Sequence, residues 1–319
     1  MNLENWTQSL QEKISDAILF GEPLSKYSWW QIGGPADALI DISSQKNLMS
    51  ALKWLKKHEI QWCMIGKGTN LLFDDVGYRG CVLRLGDKFS NIKISGNRIN
   101  AEAGAWTPLL AFQAARHGLS GLEHAIGIPA SFGGLIYMNG GSQRKGIGDL
   151  VEQVTTVSPE GEICTYTKSE CNFGYRNSRF QGGKEIITEA TLVFSDEKNY
   201  ASQRKELLYI LRDRRQKFPR KAPSCGSVFK SSPELFAAAG PPGKIIESLG
   251  YKGFERGGVQ VSPIHANFIV NLGNGTASGV MSIVKEIHSK VLSKFHLELT
   301  PEFQYVHPLK GIQHAAEWL

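Results

Sequence analysis

No apolar stretch in this chain is long. Runs such as Phe268–Val270 and Leu207–Leu211 fall far short of the roughly 20 apolar residues that a membrane-spanning helix needs. The first residues, MNLENWTQSLQEKISDAILF, carry acids and lack the basic-then-apolar order of a secretory signal peptide, so a cytoplasmic location is expected. Cysteine is scarce. Cys63, Cys81, Cys164, Cys171 and Cys225 are scattered, odd in number and without a CxxC pair, which argues against a disulfide framework or an iron–sulfur site and fits a reducing compartment. No group of His, Cys and carboxylates has metal-ligand spacing, so no metal is expected. Long Lys/Arg runs and repeated basic–aromatic patterns are missing too, and with them the sequence signs of a nucleic-acid surface.

What is present is glycine and regular patterning. With 319 residues, 41% hydrophobic and 21% charged, the chain can bury a large core and hold two or three domains. The formal net charge of +6 suits a polyanionic small ligand. Residues 1–20 read as an amphipathic opening helix. ADALIDI is a strand, NLMSALKWLKKHEI a helix, QWCMI a second strand and CVLRL a third, a small βαβ-like unit. NIKISG and RINAEAG form a hairpin about Gly96-Asn97. TPLLAFQAARHGL is a short helix, with Thr107 as its N-cap and Pro108 at its first position. VEQVTTVSPEGEICTYT and KEIITEATLVFS are strand-like, the former turning at Pro159-Glu160-Gly161. ASQRKELLYILRDRRQKF is a long helix ended by Pro219, and a last helix runs near Gly279–Leu292. The tail His307–Leu319 has helical composition.

Two glycine loops are candidates for holding an anion. Ile65-Gly66-Lys67-Gly68-Thr69-Asn70 follows a strand. Glycine lets the backbone turn sharply and present N–H groups to a phosphate, and Lys67, Thr69 and Asn70 add donors. The loop is neither a Rossmann fingerprint nor a Walker loop, and a simple tight turn is the competing reading. The second is Gly127-Ile128-Pro129-Ala130-Ser131-Phe132-Gly133-Gly134, continued by Met138-Asn139-Gly140-Gly141. Ser131 is placed to cap the next turn, and packing of a crowded corner is the competing reading.

Three polar segments follow. Arg176, in Phe173-Gly174-Tyr175-Arg176-Asn177-Ser178, offers a guanidinium fork to a carboxylate, against a plain surface arginine. Ser227, in PSCGSVFK, is a candidate proton donor, with Ser224 and Cys225 as competitors. No Ser–His–Asp order or GxSxG elbow supports acyl chemistry. His265 and Asn267 enter an apolar strand, where a lone histidine is more often structural than a ligand. Glu302, in LTPEFQYV, says little by itself.

Taken together, IGKGTNLLF, GLEHAIGIPASFGG, MNGG, FGYRNSRF, PSCGSVFK, GKIIESLGYKG and QVSPIHANFIVN, spread from Ile32-Gly33-Gly34 to Pro301-Glu302, resemble the UDP-N-acetylenolpyruvoylglucosamine reductase (UDP-N-acetylmuramate dehydrogenase) family. The resemblance implies an α+β fold: a two-subdomain FAD-binding module of the vanillyl-alcohol-oxidase (PCMH) type over residues 1–88 and 89–199, a C-terminal α+β domain for the UDP-sugar over 200–306, and a tail over 307–319. It implies non-covalent FAD, NADPH as hydride donor, and reduction of the enolpyruvyl group of UDP-N-acetylglucosamine enolpyruvate to UDP-N-acetylmuramate in peptidoglycan synthesis. The positions matching the family's flavin loops are Ile65, Gly66, Lys67, Gly68, Thr69, Asn70 and Leu71, then Gly127, Ile128, Pro129, Ala130, Ser131, Gly133, Gly134 and Asn139.

Ser227 matches the family's proton donor. Arg176 and Glu302 match the residues that polarise the substrate carboxylate and stabilise the enolate-like intermediate. Lys217, Lys230 and Asn267 match substrate contacts. The short spacing from GYRNS to KEIIT resembles the shorter second subgroup, without a clamping tyrosine loop. A monomer with no nucleic-acid or membrane partner is implied. The chain departs from the family pattern at Gln31, Ser231 and Gln304, and the pair Trp29-Trp30 is unusual. The alternatives are another FAD oxidoreductase of the same fold and a non-catalytic FAD-binding relative.

Overall fold

A computed structural model describes residues 3–219 and 221–319. The chain divides into two compact units, each assembled from separate stretches of sequence. Unit 1 takes the residues up to Phe20, Ala38–Lys67 and Gly80–Arg214, and unit 2 takes Gly21–Asp37, Gly68–Arg79 and Arg215–Leu319. Each has its own apolar core. Among the described residues no helix is long and apolar enough to cross a membrane. The cysteines are free thiols.

In unit 1 the opening helix is shorter than its composition suggests. It spans Leu3–Gln11 and sends Trp6 and Leu10 into the core, and Ile18–Pro23 is a strand. Met1 and Asn2 lie outside the described residues. Asp16 explains part of the difference: its buried carboxylate accepts from Ser43 N at 3.1 Å and Asn47 Nδ2 at 2.9 Å. Those partners come from another segment, and a buried carboxylate needs them.

The helix Gln45–Lys57 begins at Ser44, whose hydroxyl accepts from Asn47 N at 3.2 Å. Its apolar stripe, Leu48, Ala51, Leu52 and Leu55, is fully buried. Strand Trp62–Ile65 then pairs in parallel with Tyr78–Leu85. These strands lie in a four-stranded sheet with Pro35–Ile42 and Ile18–Pro23. A second, five-stranded sheet has the order Ile163–Thr167, Val151–Val157, Ile186–Val193, Arg98–Glu102, Ile92–Ser95. Its expected hairpin turns at Gly96, where φ is +55°.

The helix Thr107–Arg116 corrects one expectation. Its N-cap is Trp106, not Thr107. Trp106 is extended and bridges to Ser131, and Thr107 N donates to Ala130 O at 3.0 Å, so the helix starts one residue earlier than a threonine cap requires, and Pro108 is its second residue. The buried Thr107 hydroxyl has no hydrogen-bond partner among the described residues.

In unit 2, strand Leu71–Phe73 pairs in parallel with Gln304–His307. The latter pairs antiparallel with Gly311–His314. The tail with helical composition is therefore a strand followed by the single turn Ala315–Trp318, because Ile312 opposite Val306 extends the sheet. Helix Ala277–Phe295 is longer than expected. Thr276 caps it, and the Asp75 carboxylate accepts from Ala277 N at 2.6 Å and Ser278 N at 3.0 Å, favourable for the helix dipole.

Trp30 is packed within unit 2. It is fully buried, its Nε1 donates to Ile269 O at 2.7 Å, its carbonyl accepts from Asn271 Nδ2 at 2.8 Å, and its ring meets the Phe303 ring edge-on at 5.2 Å. Trp29 is largely exposed and donates its N–H to Gly68 O at 3.2 Å. Trp30→Ala is expected to destabilise unit 2 by about 3–5 kcal/mol, the usual cost of truncating a buried aromatic, and Trp30→Phe by less. Urea unfolding followed by circular dichroism checks this, and a Trp30→Ala midpoint equal to wild type contradicts it.

Candidate active site

The first glycine loop begins where strand Trp62–Ile65 ends. Its glycines are there for close approach. A Cβ on Gly66 would fall 2.1 Å from Ser131 Oγ, and one on Gly68, at φ +63°, would fall 1.8 Å from Tyr27 O. Lys67 pairs with Asp87, a contact that lowers the Asp87 carboxyl pKa, and its ammonium lies 5.9 Å from the Trp106 ring centre. Among the described residues, no backbone N–H from Gly66 to Asn70 donates to another part of the protein. Buried or half-buried N–H groups seek acceptors, and a turn lined with open donors fits a diphosphate.

The second loop is held by its own backbone. Ile128 N donates to Ala125 O at 3.0 Å and Ala130 N to Ile128 O at 2.9 Å. Phe132 N and Gly133 N donate to Ala105 O and Ala103 O, each at 2.8 Å. Ser131 stands at the N-cap of the short helix Phe132–Tyr137, but its hydroxyl makes no capping bond. It faces the first loop instead. Besides meeting Gly66, Ser131 Oγ lies 3.2 Å from where a Gly134 Cβ would be. The two glycine loops thus converge on Ser131 within unit 1. Gly133 has the packing role that competed with the ligand reading, since its Cβ would fall 2.7 Å from that of Ala103.

Arg176 lies in unit 1, in the left-handed region at φ +53°. Its loop is tied to Tyr137–Gly141 by five bonds: Asn139 Nδ2 to Gly174 O at 2.7 Å, Arg176 Nη2 to Gly141 O at 3.1 Å, Ser178 Oγ to Tyr137 O at 2.7 Å, and Gln181 Nε2 to Tyr137 O at 3.0 Å and to Met138 Sδ at 3.7 Å. Asn139, expected to touch the cofactor, also accepts from Gly148 N at 2.9 Å through Oδ1, so its amide joins three loop segments. Arg214, unremarked in the sequence, covers Gly127: a Cβ there would fall 2.3 Å from Arg214 Cδ. Burial, then the charge of Arg176, holds the Arg214 pKa below the usual guanidinium value.

Unit 2 brings Ser227 and Glu302 onto adjoining segments. Phe229 and Pro301 form an antiparallel bridge, Glu302 N donates to Val228 O at 2.7 Å, and Lys230 N donates to Thr300 O at 2.9 Å. Lys230, a candidate substrate contact, therefore shares this ribbon, while Lys217 ends the helix Tyr200–Lys217. Asn267 was expected to meet substrate. Its buried amide instead accepts from Phe229 N and donates to Phe229 O, both at 3.0 Å. Cys225 is buried. Burial, then the Glu302 carboxylate, pushes its thiol pKa well up, which removes it as a nucleophile. Gln304 is buried, and Ser232 caps the helix Pro233–Ala238 by accepting from Leu235 N at 3.0 Å.

Comparison with known proteins agrees with this geometry. The profile of an FAD binding domain matches residues 36–167, and that of the UDP-N-acetylenolpyruvoylglucosamine reductase C-terminal domain matches residues 218–306. UDP-N-acetylenolpyruvoylglucosamine reductase 1 of Corynebacterium glutamicum is 39% identical over 283 residues, 89% of this chain and 84% of its own. The reductase of Carboxydothermus hydrogenoformans is 36% identical over 302 residues, 93% of this chain and 96% of its own. The crystal structure of UDP-N-acetylenolpyruvylglucosamine reductase (MurB) from Thermus caldophilus is similar with a TM-score of 0.76 at 30% identity, covering 91% of this chain and 98% of that one.

A buried histidine stands behind the second loop. His124 is 2% exposed, its Nδ1 accepts from Ser142 N at 3.4 Å, and burial, then Lys145, holds its pKa down to about 4. The folded value lies below the ordinary 6.5, so the unfolded chain binds the proton first. Stability from this group is complete above about pH 6.5 and lost as the pH falls towards about 4, by about 3 kcal/mol in all. His124→Gln is expected to flatten the wild-type fall in unfolding free energy between pH 7 and pH 4.5 by an amount of that order, read by urea titration. Parallel curves for the two proteins contradict it.

Proposed function

The chain belongs to the UDP-N-acetylenolpyruvoylglucosamine reductase family, and we propose from that premise which of its residues hold the flavin and which serve the sugar nucleotide. It is an FAD-dependent reductase of peptidoglycan synthesis that acts on the enolpyruvyl group of UDP-N-acetylglucosamine enolpyruvate. We assign NADPH as the hydride donor. The open N–H groups from Gly66 to Asn70, with Ile65 and Leu71 on either side, hold the FAD diphosphate, and the segment Gly127–Gly134 lies along the flavin. The regions 1–88 and 89–199 are the flavin subdomains and 200–306 carries the UDP-sugar, with Lys217 and Lys230 as cationic contacts. The enzyme works as a cytoplasmic monomer.

When bound, the flavin supplies the hydride that the enolpyruvyl β carbon receives. Negative charge then gathers on the α carbon and its carboxylate until a proton arrives. Arg176 meets the carboxylate with a planar fork. Ser227 gives its hydroxyl proton to the α carbon, and Glu302 completes the set that meets the developing charge. The observation that chiefly supports this reading is the 2.7 Å bond from Glu302 N to Val228 O, which sets the segments of Ser227 and Glu302 side by side.

Anaerobic stopped-flow measurement tests it. NADPH is expected to bleach the flavin, and the enolpyruvyl sugar nucleotide to restore it. A flavin that stays reduced in the sugar nucleotide's presence overturns the reading and favours another oxidoreductase of this fold. A flavin band that NADPH does not bleach favours a non-catalytic FAD-binding relative. Ser227→Ala is expected to keep the NADPH step and slow the reoxidation by about 10²- to 10⁴-fold, the usual worth of a general acid. Reoxidation at the wild-type rate removes Ser227 as proton donor.

A further inference from the structure

We propose that Asn70 and Asn267 are positioning residues: two asparagine side chains that fix the backbone carrying Ser227 and Glu302, each holding one of the two strands of a single hydrogen-bonded ribbon. This rests on the reductase reading above. All the residues involved belong to unit 2.

Asparagine is suited to this because one side chain both donates and accepts. Asn267 imitates a strand neighbour. Its Oδ1 and Nδ2 close on the N–H and C=O of Phe229, each at 3.0 Å, and its own carbonyl accepts from Val228 N at 2.9 Å. Three bonds thus hold the two residues that follow Ser227. Asn267 is 6% exposed and 38 residues from Phe229 in sequence, so the contact is buried and purely tertiary.

Asn70 does the same for Glu302. Its Nδ2 donates to Glu302 O at 3.1 Å, and its carbonyl accepts from Gln304 N at 2.9 Å. Glu302 is therefore held at both ends of its backbone, its N–H by Val228 and its C=O by Asn70. Asn70 is also the last residue of the loop with open N–H groups. A diphosphate seated on that loop orders the same residue that orders Glu302, so cofactor loading and proton delivery share one support. Proton transfer to a single carbon demands this precision, since a misplacement of about 1 Å costs about 100-fold in rate.

The two half-reactions separate this role from direct binding. Hydride transfer from NADPH needs neither Ser227 nor Glu302. Asn267→Leu and Asn267→Asp are expected to keep FAD and to be reduced by NADPH within about twofold of wild type, but to be reoxidised about 100-fold more slowly, with the sugar nucleotide Kd little changed. Asn70→Ser is expected to lose both FAD affinity and reoxidation rate. Amide hydrogen exchange supplies a readout independent of turnover: the Phe229 amide should exchange at least about tenfold faster in both Asn267 variants.

The aspartate variant keeps the shape and the acceptor, so it serves if the leucine variant does not fold. Unchanged reoxidation in a folded Asn267 variant overturns the proposal. So does a raised sugar-nucleotide Kd with an intact rate, which marks a direct contact, and so does an equal loss in both half-reactions. If wild-type reduced enzyme ignores the sugar nucleotide, the functional reading fails, and the Phe229 exchange rates still report whether the clamp exists.

Discussion

Three residue pairs support the site in unit 2. Leu71, Leu72 and Phe73 lie in parallel beside Gln304, Tyr305 and Val306, so the end of a phosphate-type loop and the approach to Glu302 are one piece of sheet. Parallel pairs this short are weak alone. This one is reinforced at its end: the Tyr305 hydroxyl bonds Asp74, and burial, then that carboxylate, pushes the tyrosine pKa far up. Asp75, the next residue, caps the helix Ala277–Phe295. Strand, cap and core helix therefore hold one another, and Ser227 inherits its place from that arrangement through Val228 and Glu302.

Unit 1 solves a different problem. It keeps the loops around residues 121–148 still. Stillness comes from side-chain hydrogen bonds made locally. The Glu123 carboxylate takes Ser120 Oγ at 2.9 Å and Gly121 N at 2.8 Å, Asn139 spends its amide on Gly174 and Gly148, and Ser142 Oγ reaches His124 O at 2.7 Å. Buried polar groups satisfied in this way specify one arrangement of the chain, and a partly satisfied set would not.

Much of this was legible in residues and much was not. Periodicity found the helix Gln45–Lys57, the hairpin at Gly96 and the strands beside them, because those features are local. It misplaced what tertiary partners decide: the end of the opening helix, drawn short beside Asp16; the cap at Thr107, pre-empted by the Trp106–Ser131 bridge; and the tail, recruited into a sheet by Val306. The glycine loops were visible as loops, and their meeting at Ser131 was not, since Gly66 and Ser131 are far apart in the chain. The roles proposed for Ser227, Arg176 and Glu302 rest on resemblance, as no spacing rule singles them out. Asn267 shows the limit well. A polar residue leading into an apolar strand invites a ligand role, and only the folded chain shows its amide spent on Phe229.

The bond from Trp30 to Ile269 spans 239 residues. During synthesis from the N-terminus, the segments that make unit 1 are complete once Arg214 has been added, whereas Gly21–Asp37 and Gly68–Arg79 belong to unit 2. Those two stretches emerge early and must wait for partners made last. Until Ile269 and Phe303 exist, Trp30 has neither its acceptor nor its ring contact, and its indole is exposed to whatever binds nascent apolar surface. Translation order thus divides this protein into an early part whose segments are complete first and a late part that must gather pieces already made.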